Sequence, residues 1–287
     1  MVIPLIEKLK EIFKEKLTEE EMKLLPSSFD IIGSREKAVA IVEIPEELKD
    51  KQEIIAKAIM KLHKNVKTVL KKASERKGKL RIREYELIAG ETNTEVLHKE
   101  YGYLLKLDPQ KVYFSPREAT ERQRIAEQVK PSENVLVMFS GVCPYPLAIF
   151  KKQPKVNKIV AVEINPDAHK YAEENVKLNK AEKKVFPVLG DVKEVCPKYY
   201  GKFDRIVMPL PLGAESFLDI AIKCLKSQGG IVHFYNWGSE DDLYSRALSL
   251  IEKHARKLRK KVEILNKRKV LPYAPKKYKV CIDFKVV

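Results

Sequence analysis

Two adjacent stretches, NVLVMFSGVCPYPLAIFKK (134–152) and KIVAVEINPDAHKYAEENVKLNK (158–180), decide the fold. Each opens with a short apolar, β-branched run and passes through a turn into residues with helical periodicity. That is the pattern of a strand followed by a helix. Downstream the alternation continues with the strand VFPVLG (185–190), the strand FDRIVMPLP (203–211), the helix AESFLDIAIKCLK (214–226), the strand GGIVHFYNW (229–237) and a helix within DLYSRALSLIEKHARKL (242–258). Repeated βα units predict a parallel, doubly wound sheet. VEILNKRKVL (262–271) and KYKVCIDFKVV (277–287) follow with no helix between them, which predicts an antiparallel hairpin at one edge. A dinucleotide-binding sheet does not end this way.

Upstream, residues 1 to about 25 read as one amphipathic helix with Lys and Glu between its apolar positions. IIG and AVAIVEI (38–44) are strand-like, a helix is expected from about Asp50 to Lys64, and the apolar runs to residue 107 read as strands. The first 110 residues therefore form a small α/β domain. In SPREATERQRIAEQV (115–129), Ser115 and Glu118 have the spacing of a capping box, and Pro116 occupies the first helical position. A linker helix is expected across 111–130, and the larger α/β domain across 131–287.

The chain of 287 residues carries 56 Lys and Arg against 40 Asp and Glu, a formal charge of +16 that suits a polyanionic partner. ARKLRKK (255–261), NKRK (266–269) and VKTVLKK (66–72) are candidate phosphate-facing stretches. No apolar run is long enough to span a bilayer, and no signal peptide is present, so no membrane partner is expected. Cys143, Cys196, Cys224 and Cys281 are widely spaced without a CxxC pair, which argues against a zinc site and fits a reducing cytoplasm.

In open α/β sheets ligands sit at the carboxyl ends of the strands. The first of these strands ends in Phe139-Ser140-Gly141-Val142, small enough for close approach of a ligand but without the GxGxxG of a pyrophosphate cradle. The second ends in Glu163-Ile164, and an acid here can accept from a ribose diol. The third ends in Leu189-Gly190-Asp191-Val192, where Asp191 can accept from an adenine amino group. Either acid alone also reads as a helix cap or a surface charge. Together they describe an adenosine without a phosphate loop, and the nucleoside cofactor of that kind is S-adenosylmethionine. The fourth strand runs into Pro209-Leu210-Pro211, a stiff loop suited to positioning reactants.

Taken with SFDIIGSREKAVAIVEIPEEL (28–48), RIREYELIAG (81–90), MFSGVCPYPLAI (138–149), RIVMPLPLGAESFLDIA (205–221) and YAPKKYKVCIDF (273–284), the chain resembles the archaeal and eukaryotic tRNA guanosine-37 N1-methyltransferases of the class I methyltransferase, Rossmann-like fold. The resemblance runs from about Leu25 to the end and implies a short form without the extra N-terminal domain that many members use to inspect the tRNA elbow. It implies the anticodon region of tRNA as partner, no metal, and S-adenosylmethionine contacts at Phe139, Gly141, Val142, Glu163, Ile164, Asp191, Val192 and Pro209. It assigns the general base to Glu121 and the cation to Arg83, with Arg81 as the alternative. Arg81, Arg117, Arg124 and Pro211 are the expected substrate-side residues, and a monomer is favoured. On a helix Arg117 and Arg124 flank Glu121 at i−4 and i+3, a pairing that keeps the acid ionised but weakens it as a base.

The sequence departs from the family at two places: Val137 stands where an Asp is usual, and Pro209 replaces the Asn of Asn-Leu-Pro. Proline has neither amide nor N–H to hold a target base. Aminocarboxypropyl transfer or methylation of a tricyclic guanosine at the same position are the alternative reactions, and a non-catalytic RNA-binding module is the alternative of another class.

Overall fold

The computed structural model describes residues 5–14, 16–74, 78, 80 and 82–287. The chain divides into two compact units, one of residues 1–100 and 104–116, the other of 101–103 and 117–287. Among the described residues no helix is long and apolar enough to cross a membrane.

The first unit begins with two helices, α1 (Leu5–Phe13) and α2 (Glu19–Lys23), rather than the single helix expected over residues 1–25. Thr18 restarts the chain. Its hydroxyl accepts from Glu21 N while the Glu21 carboxylate accepts from Thr18 N, a closed capping box. Strands β1 (Asp30–Gly33), β2 (Ala38–Val42), β3 (Val66–Lys72) and β4 (Tyr85–Gly90) form one sheet in that order, antiparallel except for the parallel β2–β3 pair. A 3-10 turn (Glu46–Lys51) and helix α3 (Gln52–Leu62) make the crossover, burying Ile55, Ala56 and Ile59 in a core with Leu9, Phe13, Val42 and Val69. Burial claims β3, so VKTVLKK is not an open basic face: Val69 and Leu70 are in the core, and Lys71 is buried beside Gln52 and Glu86. Strands β5 (Val96–Glu100) and β6 (Tyr103–Leu107) pair separately.

The long run of the second unit starts inside a 3-10 turn (Pro116–Glu118) that leads into helix α4 (Ala119–Gln128), so the first turn of the expected helix is tighter than α. Glu118 is buried, and its Oε2 accepts from Lys279 Nζ at 2.8 Å. Then follow β7 (Asn134–Met138), α5 (Pro144–Lys152), β8 (Lys158–Glu163), α6 (Pro166–Leu178), β9 (Val185–Leu189), α7 (Val192–Val195), β10 (Arg205–Met208), α8 (Leu218–Cys224), β11 (Gly230–Ser239), α9 (Ser245–Lys257), β12 (Val262–Ala274) and β13 (Lys277–Val286). The sheet order is β12-β13-β11-β10-β7-β8-β9. Strands β7 to β11 are parallel, and β13 inserts antiparallel between β11 and β12. The chain order reverses between β7 and β10, the switch point where ligands sit in such sheets. One face packs Leu136, Met138, Ile206, Phe234 and Phe284 against α8 and α9. β12 is an exposed edge broken by three register shifts and studded with Lys267, Arg268 and Lys269, features that discourage further strand pairing.

Candidate functional site

Helix α5 cannot follow β7 without a sharp reversal, and the connecting loop achieves it with left-handed backbone. Phe139, Gly141 and Cys143 have φ of 56°, 54° and 68°. Two of these are not glycine, a strained arrangement that neighbouring bonds must hold. Ser140 N donates to Val162 O, and Asn175 Nδ2 on α6 donates to Val142 O at 3.1 Å. The Phe139 ring stands edge-on to Phe217, with centroids 5.0 Å apart.

Glu163 ends β8 facing this loop. Its Oε2 accepts from Gly141 N at 2.6 Å and its Oε1 from Asn165 N at 2.8 Å. Burial raises its pKa, opposed by those backbone N–H groups. Each oxygen keeps a lone pair, so the carboxylate is oriented and still able to accept from two vicinal hydroxyls. Gly190, with φ of 145°, lets the next loop close over Glu163: its N–H donates to Glu163 O, and a Cβ there would lie 2.7 Å from Val195 Cγ2. Asp191 caps α7, its Oδ1 accepting from Lys193 N at 2.8 Å. The capping alternative is thus realised for Asp191, and Asn165 rather than Glu163 caps α6. The Val142 and Val192 side chains are buried, leaving only their backbone to face a ligand. Ile164, Pro209 and Pro211 are half-buried at the same strand ends. These donors and acceptors fit an adenosine.

Glu121 lies in α4 with a side chain only 3% exposed. Tyr235 OH donates to its Oε1 at 2.6 Å, while Arg124 holds both oxygens, Nη2 to Oε1 at 2.7 Å and Nε to Oε2 at 2.8 Å. Arg268, half-exposed on β12, places Nε 3.4 Å from Oε2. Burial pushes the Tyr235 phenol well above its ordinary value, so it stays a donor. Tyr145 OH donates to Tyr235 OH at 3.2 Å. Tyr145 is in the first turn of α5, two residues past the left-handed loop, so a two-hydroxyl chain ties Glu121 to the start of that helix.

Arg124 reaches further. Its Nη1 and Nη2 also bond the Asp283 carboxylate of β13. His233 Nδ1 lies 2.7 Å from Asp283 Oδ1, and Arg205 Nη1 lies 2.8 Å from His233 Nε2. Arginine can only donate, so Nε2 accepts and the His233 proton sits on Nδ1. Burial depresses the His233 pKa, keeping the ring neutral. Burial by itself would raise the Asp283 pKa, but the bonds from His233 and Arg124 hold it well below the carboxylate range. Arg205 is anchored in turn by Glu133 at 2.8 and 3.0 Å. Among the described residues His233, Cys281 and Asp283 form the one trio with metal-ligand atoms within 4.8 Å. The two guanidinium groups donating into it repel a cation.

Glu121 and Arg124 are legible in the sequence, and Arg268 only as part of the basic NKRK stretch; Tyr235, Asp283, His233 and Arg205 are not. Each of these four stands in a strand whose composition signals only a strand. Asn236, also missed, buries an Nδ2 without a hydrogen-bond partner two residues beyond Phe234, the neighbour of the last residue of β10. Arg117 is exposed in the 3-10 turn, off the α-helical register expected for it. Arg83 is half-buried before β4 in the first unit, beside a polar recess with Glu43, Lys72 and Ser74. Arg81 lies outside the described residues.

Residues 96–265 match the TRM5/TYW2 methyltransferase domain and residues 9–94 the TYW2 N-terminal domain. The chain is 47% identical to the tRNA (guanine(37)-N(1))-methyltransferase Trm5b of Pyrococcus abyssi, over 93% of this chain and 77% of that protein. It is 31% identical to the tRNA(Phe) (4-demethylwyosine(37)-C(7)) aminocarboxypropyltransferase of Pyrococcus horikoshii, over 97% and 96%. A solved complex of aTrm5 and tRNALeu superposes with a TM-score of 0.83 at 36% identity, covering 97% of this chain and 77% of that one. The cofactor that the strand-end residues fit is S-adenosylmethionine. With both units matched, the chain belongs to the TRM5/TYW2 methyltransferase family.

Proposed function

We propose that the protein transfers a methyl group from S-adenosylmethionine to N1 of guanosine at position 37 of tRNA, with Glu121 as general base. The observation that carries this reading is the Tyr145–Tyr235–Glu121 chain, which fastens a buried carboxylate beside the cofactor loop. Guanine N1 bears a proton and has no free lone pair, so it is not a nucleophile until that proton is removed. Glu121 takes the N1 proton, and the electron pair left on N1 forms the new bond to carbon. Negative charge that spreads to O6 needs a cation. Arg83 is the guanidinium proposed for it, and Arg268 is the exposed guanidinium already against Glu121. Bound S-adenosylmethionine supplies a methyl group on a sulfonium, which leaves as a neutral thioether. Glu163 orients the ribose, and the loop from Phe139 to Cys143 and Pro209 to Pro211 set the direction of approach.

A tRNA substrate agrees with the +16 charge and with the exposed cations of α9 and β12. The test is incubation of the protein with labelled S-adenosylmethionine and an unmodified tRNA transcript carrying guanosine at position 37, followed by nucleoside mass analysis. N1-methylguanosine is the expected product. A second reading, aminocarboxypropyl transfer, is favoured by the match of residues 9–94 to a TYW2 domain. An added aminocarboxypropyl group, with none of the methyl product, would establish it instead.

A further inference from the structure

The Glu121 site contains one carboxylate more than its arginine needs. Arg124 already makes a bidentate pair with Glu121, a complete partnership for a guanidinium. Left alone, that pair would hold Glu121 ionised but make it a poor proton acceptor. Yet Asp283, 159 residues away in sequence and with a side chain 2% exposed, bonds the same guanidinium. Burying a second acid here is costly, and the fold commits several groups to it: His233 at 2.7 Å, Asn266 Nδ2 and Gln128 Nε2 at 3.4 Å, and the Glu133–Arg205 pair behind His233. Signs alternate along this line, from Glu133 through Arg205, neutral His233, Asp283 and Arg124 to Glu121.

We propose that Asp283 is a positioning residue for methyl transfer: it shares the charge of Arg124, so that Glu121 is aimed by the guanidinium yet remains basic enough to accept the guanine proton. The inference rests on the reading of Glu121 as base. The other groups facing Glu121 are Arg268 from β12, Tyr235 from β11, Cys281 from β13 and Tyr145 from α5. Close by, the Glu118–Lys279 pair is internally neutral, with Lys279 Nζ 4.8 Å from the Tyr235 ring centroid. Burial keeps the Cys281 and Tyr145 protons in place. Among the described residues, Arg268 and Arg124 are the cations paired directly with Glu121, and Asp283 is the anion that shares Arg124; buried Arg122 of α4 acts nearby, on Tyr145.

The test measures methyl transfer to the position-37 transcript as a function of pH, with cofactor affinity by calorimetry as a check on folding. Asp283→Asn removes a neighbouring negative charge, so the acid limb moves to lower pH by about one unit and the plateau rate falls about tenfold. Arg124→Gln removes the positive charge, and the limb moves about one unit upward. The double variant Arg124→Gln/Asp283→Asn restores charge balance with near-isosteric groups and brings the limb back toward that of the wild type. The inference is overturned if both single variants shift the limb in one direction, or if the double variant lies no closer to the wild type than they do. Should a single variant fail to bind cofactor, the double variant decides alone: a limb displaced by about one unit sinks the proposal. Glu121→Gln runs alongside. If it keeps wild-type activity, the base assignment falls and takes this inference with it. If it is inactive while the other limbs stay fixed, only the role of Asp283 falls.

Discussion

The two halves of the catalytic unit are built by opposite means. The strand-end region proposed to hold the cofactor is a backbone device: left-handed residues at 139, 141 and 143, a glycine at 190, and the carboxylate of Glu163, fixed by two neighbouring N–H groups. Its parts lie within about fifty residues of chain, and most of its bonds are to main chain. The Glu121 region is a side-chain device. It draws on α4, α5, β10, β11, β12 and β13, and nearly every bond joins two side chains. A cofactor of constant shape suits a fixed backbone cradle. A proton acceptor needs a tuned charge, and only side chains supply charges of both signs in a dry setting.

Breaking the second region should cost most. Glu121→Gln is expected to lower the methyl-transfer rate by about 10²- to 10⁴-fold. Cofactor affinity should be retained, because the cradle at Glu163 shares no bond with it; a parallel loss in calorimetry would show the two regions to be one. Glu163→Ala attacks the first region alone. Loss of charged hydrogen bonds at the ribose should weaken cofactor binding by about 10- to 100-fold, with the rate at saturating cofactor little changed. If that rate collapses too, the separation is wrong.

Smaller effects sharpen the contrast. Asn165→Ala removes the side-chain cap of α6 and should lower stability by about 1 kcal/mol, read as a fall in Tm, without altering the pH–rate profile. Acidity should act on the cradle in its own way. The Glu163 pKa is raised by burial, so in the free protein its ionised form is the strained one. This group contributes stability that is complete below its unfolded-state value and is lost as pH rises through the folded one. Ribose hydroxyls favour the ionised acceptor, so cofactor affinity should weaken as pH falls through that raised value, earlier than for an ordinary glutamate. Titration calorimetry across mildly acid pH reads this directly, and a flat affinity would remove the ribose role.

The same division separates what was legible from what was not. The strand-helix alternation, the terminal hairpin and the strand-end acid Glu163 follow from local periodicity and spacing, because each is decided within a few turns of chain. The spacing of Arg124 three residues past Glu121 is legible on the helix, and the two do pair. Asp283 is outside that local reading because IVHFY and VCIDF look like plain buried strands, and nothing in either segment reveals that His233 meets Asp283. The N-terminal helix is shorter than its apolar period predicts for a local reason: the Thr18–Glu21 box restarts the chain, and an apolar period does not register a cap.

Sequence by itself determined the fold of the second unit and set small and acidic residues at its strand ends, since periodicity and turn residues act over short distances. Only the tertiary structure decided which charges surround Glu121. Placing β13 between β11 and β12 is a matter of sheet order. That placement alone brings Asp283 to His233 and to Arg124, where burial makes every partner count.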